Sequence, residues 1–332
     1  MSKNPALRSK ANIIATISLI TATCVGPTLA AETDYPTKSI RFVIANLAGG
    51  TSDILARVIG TKLSETWKQQ IIVDNRPGAS GLIGNEIVAK APPDGYTFLV
   101  ADLGSSTITV LAQSKATIDM QRDFAPVTTI SYSPHLMAVH PSVPVTSVKQ
   151  FVALAKSQPG KFNFATAGQT TAPHFAGMLF AAQTGINWVY IPGKGGAQAV
   201  LDVASGQADL LFNGMLATLP FVKSGKLKLL AVTSEKRNAA LPDTPTIVES
   251  GMRDFVTGSW QGILAPGKTP PDIIAKLHAE TRRILLSPDV KEKLSSQGAG
   301  PMGSTPAETA DFMRRERERW GKLIRDTGFK TQ

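Results

Sequence analysis

The stretch IRFVIANLAGGTSDILARVIG (Ile40–Gly60) decides the fold, and FNFATAGQTTAPHFAGMLF (Phe162–Phe180) repeats its plan in the second half of the chain. Each stretch runs from a segment rich in β-branched and aromatic residues, through a loop of small and hydroxyl-bearing residues, into an apolar helix. Backbone N–H groups and the positive end of the helix dipole converge at such a loop, which favours an anion. Two loops of this kind predict a carboxylate held between two lobes.

Strand-like and helix-like segments alternate along the whole chain. The predicted strands are Ile40–Ala45, Gln70–Val73, Tyr96–Ala101, Leu136–Val139, Phe162–Ala165, Trp188–Ile191, Ala208–Phe212 and Leu227–Val232. The predicted helices begin at Ser52, Leu82, Val148, Pro173 and Ala197. This alternation predicts an α/β fold of right-handed βαβ units, in which each lobe is a mostly parallel sheet flanked by helices.

The N-terminus has the features of a secretory signal peptide. Lys3, Arg8 and Lys10 precede the apolar run Ala11–Ile20, and small residues follow up to Ala31. That run is about half the roughly 20 residues that a membrane-spanning helix needs. We therefore predict that residues 1–31 are cleaved and that the mature chain is periplasmic.

Cysteine and charge restrict the function further. Cys24 is the only cysteine and lies in the signal segment, and Thr21 stands where a lipid-attachment motif would carry leucine, which disfavours lipidation. A mature chain without cysteine excludes disulfides, thiol catalysis and cysteine-ligated metals. Removing the three signal-peptide cations lowers the formal net charge from +10 to +7. A basic surface suits an anionic ligand, although ordinary envelope-protein charge explains it equally well, and we expect no nucleic-acid partner.

The sequence lacks the common enzyme motifs. The four histidines have neither zinc-binding spacing nor a clustered ligand set, and no serine-hydrolase elbow is present; they are His135, His140, His174 and His278. We therefore predict that the protein is not an enzyme and uses no metal or cofactor. A cysteine-free periplasmic hydrolase with a Ser–His pair across the cleft remains the alternative class.

One motif match is contradicted by its context. Gly262–Thr269 satisfies the phosphate-binding P-loop pattern. A P-loop enters its helix at the Lys-Thr pair, whereas Pro270 and Pro271 disfavour helical geometry at Thr269. We do not expect nucleotide binding there.

Five segments carry a family resemblance. They are Gly49–Arg57, Asn75–Gly84, Ala91–Val100, Leu227–Gly251 and Gly262–Leu277. In this order they resemble the Bug-type solute receptors, which are the periplasmic binding proteins of tripartite tricarboxylate transporters. The resemblance implies a two-lobed, type II-like periplasmic binding fold joined by two crossing strands, which closes on a small carboxylate. It also implies delivery of that ligand to integral membrane transporter subunits, and we expect the receptor to be a monomer.

The lobe boundaries follow from the same pattern. We predict that residues 32–132 and 260–332 form the first lobe and that residues 133–259 form the second. The run Trp260–Ala265 predicts the strand that returns the chain to the first lobe. Thr305–Glu308 has the form of a capping box with proline at the first helical position, which predicts a last helix packed on the first lobe.

The resemblance assigns the first-lobe loop to the ligand site. The ligand residues implied there are Asn46, Leu47, Ala48, Gly49, Gly50, Thr51 and Asp53. Relatives usually carry a proline-rich stretch where this chain has Asn46–Ala48. Gly49 and Gly50 allow the backbone to approach a ligand closely. Asp53 either accepts loop N–H groups beside the ligand or only caps the helix.

The second-lobe loop resembles the family loop that grips a carboxylate. Its implied ligand residues are Ala167, Gly168, Gln169, Thr170, Thr171 and His174. We predict that the four residues from Gly168 to Thr171 offer N–H and hydroxyl donors, whereas His174 fits a structural role equally well. Asp102, Ser105 and Ser106 follow the third predicted strand, and we expect them either to line the same cleft or to form a polar loop.

Two departures from the family bear on ligand size. Gly193, followed by Lys194, stands where relatives carry a bulky aromatic residue, which leaves room. Asn213 stands where many relatives carry aspartate, so a repulsive charge is absent. Together with His135 at the expected lobe crossing, these residues favour a dicarboxylate, and an aromatic diacid such as a phthalate isomer is one candidate.

The predicted mechanism is capture without chemistry. The second-lobe loop holds one carboxylate, the first-lobe loop contacts it directly or through water, and the lobes close. A receptor that signals to a sensor protein instead of feeding a transporter needs the same closure. The sequence therefore leaves transport and signalling as alternatives.

Overall fold

The computed structural model describes residues 35–113, 117–253, 255–296, 298–327 and 329. The predicted signal peptide, with Cys24, lies outside the described residues. The strands are β1 (Ile40–Ile44), β2 (Ile71–Asn75), β3 (Thr97–Asp102), β4 (Phe124–Val139), β5 (Asn163–Thr166), β6 (Val189–Pro192), β7 (Leu210–Gly214), β8 (Lys228–Val232), β9 (Gly258–Pro266) and β10 (Gly300–Pro301).

Ten α-helices are described. They are α1 (Thr51–Trp67), α2 (Leu82–Ala89), α3 (Thr109–Ala112), α4 (Val148–Ser157), α5 (Ala172–Thr184), α6 (Gly196–Ala204), α7 (Met215–Lys223), α8 (Pro271–Leu285), α9 (Pro288–Ser295) and α10 (Pro306–Thr327). A 3₁₀ turn (Ala79–Gly81) precedes α2, and a π-helical turn (Gly104–Ile108) precedes α3.

The strands form two parallel groups around antiparallel central strands. Along the sheet the order is β2-β1-β3-β9-β4-β7-β5-β6, and β8 and β10 also pair with β4. β1 is parallel to β2 and β3, and β5 is parallel to β6 and β7. β9 is antiparallel to both β3 and β4. The α/β class with mostly parallel outer strands is confirmed.

β4 connects the two groups. From Phe124 to Pro134 it pairs with β9, from His135 to Val139 with β7, and from Leu136 to Val139 also with β8. The prediction placed this strand at Leu136–Val139 only, which was wrong for its first 12 residues. That part contains two prolines and a run of threonine and serine instead of a continuous apolar stretch. The lobe boundaries near residues 132 and 260 stay a prediction.

Each parallel group has its own apolar core. In the first, Phe42, Phe98 and Leu55 pack with residues of α8 such as Leu277. In the second, Phe151, Phe164, Phe180 and Phe212 pack around Trp188. Burial of such side chains contributes about 1.5–3 kcal/mol each, so these clusters fix the strands whose ends carry the ligand loops.

Two predictions about helix starts are confirmed. Thr305 and Glu308 exchange side-chain and backbone hydrogen bonds at the start of α10, as a capping box requires. β9 ends at Pro266 and α8 begins only at Pro271, so the Lys268–Thr269 pair lies outside the helix. The segment therefore matches the P-loop pattern in sequence but does not have the strand-to-helix geometry of a P-loop. Helix α7, which contains Pro220 and directly follows β7, was not predicted from the sequence.

Candidate functional site

The starts of four helices meet at one small cavity. Its volume is ≈ 60 Å³. About 10–15 Å³ holds one water, so this space corresponds to about four to six waters, or to a carboxylate with one or two carbons. The helix starts contribute Gly50, Thr51, Ser52 and Asp53 of α1, Thr171, Ala172 and Pro173 of α5, Gly196 of α6, and Gly214 and Ala217 of α7. We call this space the small cavity.

The four helix starts keep their N–H groups available. The residues before the first helical position are Gly50, Thr171, Gly195 and Gly214, and none of them caps its helix with a side chain. The first backbone bond in α1 runs from Ile54 N–H to Gly50 O. The preceding N–H groups therefore have no intrahelical partner. Four positive helix ends around one cavity make it a strong site for an anion.

Strand residues close the other side of the small cavity. Asp102 comes from β3, Ser259 and Gln261 from β9, and Asn213 from β7. Asn213 is buried, and its Nδ2 donates to Gly196 O (3.3 Å) and Thr218 Oγ1 (3.2 Å). The amide therefore fixes the start of α6 beside α7, as well as lining the cavity without a charge.

Asp102 is held in place by neutral donors. Its Oδ2 accepts from Asn46 Nδ2 and from Ser105 Oγ, both at 2.7 Å, and its Oδ1 accepts from Ser105 N–H at 3.0 Å. Ser106 lies one residue further along the π-helical turn, with its Oγ 3.4 Å from Asn85 Oδ1. Ser105 thus holds Asp102 through two hydrogen bonds, and neither Ser105 nor Ser106 is among the residues that line the small cavity.

A larger cavity of ≈ 480 Å³ adjoins the small one. Both are lined by Asn46, Ala167 and Thr171. The larger cavity adds Ala45, Pro77, Gly78, Ala79, Ser80, Gly81, Gly168, Gly193 and Lys194. Lys194 is the cationic residue among these lining positions, and its side chain is exposed. We call this space the large cavity.

One wall of the large cavity is a left-handed turn. Gly78, Ala79, Ser80 and Gly81 all have positive φ, at 130°, 47°, 53° and 97°. Left-handed geometry destabilises an L-residue by roughly 1–2 kcal/mol, so Ala79 and Ser80 are strained. Strain of this kind is commonly retained beside ligands.

Asp53 organises the first loop. Its Oδ2 accepts from Gly49 N–H at 2.9 Å, and Arg57 donates to both carboxylate oxygens at 2.9 and 3.0 Å. Burial raises the pKa of Asp53, but the bonds from Arg57 and Gly49 outweigh burial and hold the pKa below its ordinary value of 3.8. The prediction that Asp53 accepts a loop N–H is confirmed, and the ion pair with Arg57 largely neutralises its charge near an anion.

The second loop uses several of its predicted donors internally. Gly168 N–H donates to Thr166 Oγ1 at 2.9 Å, and Thr171 donates to Gly168 O with both its N–H and its hydroxyl. Because these donors are occupied, Gly168 and Thr171 shape the loop and line the cavities by their backbone. The N–H groups of Gln169, Thr170 and Ala172 have no partner among the described residues.

The two predicted histidines are not among the residues that line either cavity. His135 is fully buried with Nδ1 3.2 Å from Thr257 Oγ1, and burial lowers its pKa to about 3. His174 lies against Tyr190, with ring centroids 4.7 Å apart, and burial lowers its pKa to about 4. Both rings are neutral at ordinary pH. The structure therefore places neither imidazole among the cavity-lining residues.

The remaining predicted site residues fall into three groups, which line the small cavity, line the large cavity, or line neither. Asn46, Gly50, Thr51, Asp53, Asp102, Ala167, Thr171 and Asn213 line the small cavity, and Gly168, Gly193 and Lys194 line the large one. Leu47, Ala48, Gly49, Gln169 and Thr170 lie in the same loops without lining either cavity. Gly193 lines the large cavity, and a Cβ on this backbone would lie 2.9 Å from Thr166 O, so a larger residue there would require a backbone shift. That the glycine leaves room for a larger ligand stays a prediction.

Sequence reasoning missed residues from the central strands and from two helix starts. Ser259, Gln261, Gly196 and Gly214 line the small cavity. Gly195–Gly196 and Asn213–Gly214 each stand between a predicted strand and a helix, so the strand–glycine–helix plan of the two main loops was the available signal. Gln261 was detectable only as a polar residue in an otherwise apolar strand.

Two negative findings apply to the described ranges. No cluster of histidine, cysteine, aspartate and glutamate there has the arrangement of a metal site. Within the same ranges, none of the helices combines the length and the apolar character needed to cross a membrane.

A protein-family model and a curated relative match the chain. The model for the tripartite tricarboxylate transporter family receptor matches residues 55–329. Protein BugT of Bordetella pertussis is 32% identical over 321 residues, which cover 96% of this chain and 98% of BugT.

Solved structures also match most of the chain. R. palustris Rpa4515 with adipate gives a TM-score of 0.86 at 34% identity, covering 89% of this chain and 98% of that one. Periplasmic binding protein BugD gives 0.86 at 31% identity, covering 90% and 100%. MatC from Rhodopseudomonas palustris with bound malate gives 0.83 at 29% identity, covering 87% and 100%.

Proposed function

The chain belongs to the tripartite tricarboxylate transporter receptor family. From that premise we propose that it is a periplasmic receptor that captures a small dicarboxylate for a membrane transporter. The family consists of solute-binding receptors and not of enzymes, so the prediction that the chain is not an enzyme is confirmed on that basis. Two of the related structures, Rpa4515 with adipate and MatC with bound malate, hold dicarboxylates.

The meeting of four helix starts at the small cavity carries this proposal. A carboxylate placed there accepts hydrogen bonds from N–H groups of α1, α5 and α6 without any cationic side chain in the lining. Charge-assisted bonds contribute about 1.5–3 kcal/mol each, so three of them account for useful affinity. The volume of the small cavity fits one carboxylate and its neighbouring carbon.

The second carboxylate extends into the large cavity. Lys194 is the cationic residue in that lining, and the cavity joins the small one along Asn46, Ala167 and Thr171. Its ≈ 480 Å³ admits an aliphatic chain or an aromatic ring. The aromatic diacid predicted from the sequence therefore stays a candidate beside succinate, malate and adipate.

A ligand-binding screen tests the proposal. The protein without residues 1–31 is heated with aliphatic and aromatic mono- and dicarboxylates, citrate and amino acids. A ligand at 100 times its dissociation constant adds about 2.7 kcal/mol of stability, which gives a clear rise in melting temperature. We expect one or more dicarboxylates to stabilise the protein. No rise with any carboxylate would contradict the proposal.

A proline substitution locates the site. Thr51 is the first residue of α1, where proline is tolerated, and Gly50 before it is extended at φ −77° and ψ 169°. Thr51→Pro therefore removes one N–H from the small cavity and leaves the helix intact. We expect it to weaken dicarboxylate binding at least about tenfold, the equivalent of one charge-assisted bond. Thr51→Ala, which keeps the N–H, is the matched control, and equal effects of the two variants would place the ligand elsewhere.

The signalling alternative is tested by uptake. A receptor that feeds a transporter loses ligand uptake when either the receptor or the membrane subunits are deleted. If uptake persists without those subunits while a transcriptional response requires the receptor, the transport proposal is wrong.

A further inference from the structure

A buried carboxylate without a cationic partner lines the small cavity. Asp102 is 9% exposed, and among the described residues it accepts only from Asn46 and Ser105. Within the described ranges it forms no ion pair, in contrast to Asp53 with Arg57. An anion site that contains such a group must keep the ligand carboxylate away from it.

Like charges set the orientation of the ligand. Two carboxylates held close together in one small cavity repel each other. The ligand carboxylate therefore belongs at the helix starts, and the part of the ligand that faces Asp102 has to donate a hydrogen bond. In the described part of the chain, Oδ1 of Asp102 accepts a single bond, from Ser105 N–H, which leaves a lone pair for a ligand.

Gln261 supplies the complementary donor. It lies directly opposite Asp102 in the antiparallel pairing of β3 with β9, and both residues line the small cavity. Directly opposed residues have Cβ atoms about 4.5–5.5 Å apart. Gln261 is 2% exposed, and its Oε1 accepts from Ser131 Oγ at 3.0 Å. This bond leaves Nε2, which has no partner in the described part of the chain, as a donor beside the cavity.

We propose that Asp102 and Gln261 recognise a hydroxyl group on the carbon next to the bound carboxylate. A hydroxyl can donate to Asp102 and accept from Gln261 at the same time. An ammonium group satisfies Asp102 but offers no acceptor to Gln261, and a methylene group satisfies neither. The pair therefore selects 2-hydroxy acids over 2-amino and unsubstituted acids. This inference rests on the proposed capture of a dicarboxylate in the small cavity.

Matched ligand series test the selection. Isothermal titration is performed with malate, succinate and aspartate, and with 2-hydroxyglutarate, glutarate and glutamate. We expect wild-type protein to bind the hydroxy acid of the favoured chain length at least about tenfold more tightly than its unsubstituted partner, because an unmet pair of buried polar groups disfavours the latter. Asp102→Asn should reduce that ratio at least fivefold, mainly by weakening the hydroxy acid.

Two further variants separate the residues. Gln261→Met removes the donor and keeps the volume, so it should lower the hydroxy-acid preference and improve the relative affinity for the amino acid. It also carries the test if Asp102→Asn fails to fold, which its melting temperature would reveal. Asp243→Asn, at an exposed position, is the matched control and should leave all ratios unchanged.

The outcomes are distinct. Equal wild-type affinities for hydroxy and unsubstituted acids, or a ratio that both Asp102→Asn and Gln261→Met leave unchanged, would overturn the recognition by this pair while leaving dicarboxylate capture intact. Failure of the wild type to bind any dicarboxylate would overturn the proposed function and this inference with it.

Discussion

Thr109 and Thr170 face each other with their hydroxyl oxygens 2.5 Å apart, and both side chains are buried. Thr109 Oγ1 also lies 3.0 Å from Ser80 O, to which it donates. The Thr109 hydroxyl has a single proton, which it donates to the Ser80 carbonyl. The Thr170 hydroxyl is therefore the donor in the contact between the two threonines. This chain of hydrogen bonds joins the second ligand loop to the strained turn that walls the large cavity.

Removal of the middle hydroxyl should affect stability more than removal of the end one. Thr109→Val breaks both bonds and leaves the buried Thr170 hydroxyl without a partner, for an expected loss of about 1–3 kcal/mol in the free energy of unfolding. Thr170→Val breaks one bond and leaves Thr109 bound to Ser80, for an expected loss of about 0.5–1.5 kcal/mol. Urea unfolding measures both.

The double variant supplies the control. Replacing both threonines by valine removes the unsatisfied hydroxyl, so its loss should be smaller than the sum of the single losses. Strict additivity would mean that the two hydroxyls do not interact in solution.

The sequence predicted most elements because local patterns determine them. The start of α2 at Leu82 and of α4 at Val148 was predicted at the residue, and the strand at Ile40 within one residue. The first part of β4 was not predicted, because its polar residues are buried and find their hydrogen-bond partners in segments that are distant in sequence. The N–H of Thr129, for example, donates to Oγ1 of Thr309 in α10 at 3.0 Å.

The candidate site was predictable only in part for the same reason. The two main loops carry local glycine and threonine signals, and they do line the cavities. The convergence of α6 and α7 with them depends on the strand order β7-β5-β6, which the sequence does not reveal. Likewise, Gly168 looked like a ligand donor because the sequence does not show that Thr166 Oγ1 already accepts its N–H.

The charge of Asp53 should stabilise the fold in a defined pH range. Its pKa lies below 3.8 in the folded chain, so the bonds from Gly49 and Arg57 contribute fully above that pH and are lost as the pH falls through the lowered pKa. Asp53→Asn should therefore lower the free energy of unfolding by about 1–3 kcal/mol near neutral pH. The difference in unfolding free energy between this variant and wild type should shrink once the pH falls below the lowered pKa of Asp53.

Urea unfolding across a pH series measures this difference. Asp243→Asn at an exposed position serves as the control and should follow wild type throughout. If Asp53→Asn and wild type differ by the same free energy of unfolding from neutral to strongly acidic pH, the charge of the Asp53 carboxylate does not contribute to stability.

Lys194 should distinguish dicarboxylates from monocarboxylates. Its ammonium group is exposed, so its contribution to a bound second carboxylate is modest, about 0.2–1 kcal/mol, and sensitive to salt. Lys194→Met should weaken dicarboxylate binding by up to about fivefold at low salt and leave monocarboxylate binding unchanged. Lys268→Met, at an exposed position outside both cavities, is the control. Equal losses of affinity for both ligand classes would show that Lys194 does not contact the second carboxylate.

Two glycine-to-alanine substitutions should change stability in opposite directions. At Gly193 a Cβ would lie 2.9 Å from the backbone oxygen of Thr166, and a contact that close requires the backbone to move. Overpacking of this kind destabilises a protein by about 1–3 kcal/mol. At Gly321, inside α10, the closest contact of a Cβ is 3.4 Å from Arg325 Nη1, so alanine fits with little adjustment.

Gly321→Ala should then stabilise the protein by about 0.5–1 kcal/mol, because alanine loses less backbone entropy than glycine in a helix. The Gly193→Ala loss should be accompanied by weaker ligand binding, because movement of Thr166 displaces the hydroxyl that accepts from Gly168 N–H. Denaturant midpoints and ligand titrations on the two variants measure both effects. If Gly193→Ala unfolds at the wild-type midpoint and binds normally, the close approach of Gly193 to Thr166 does not constrain the loop.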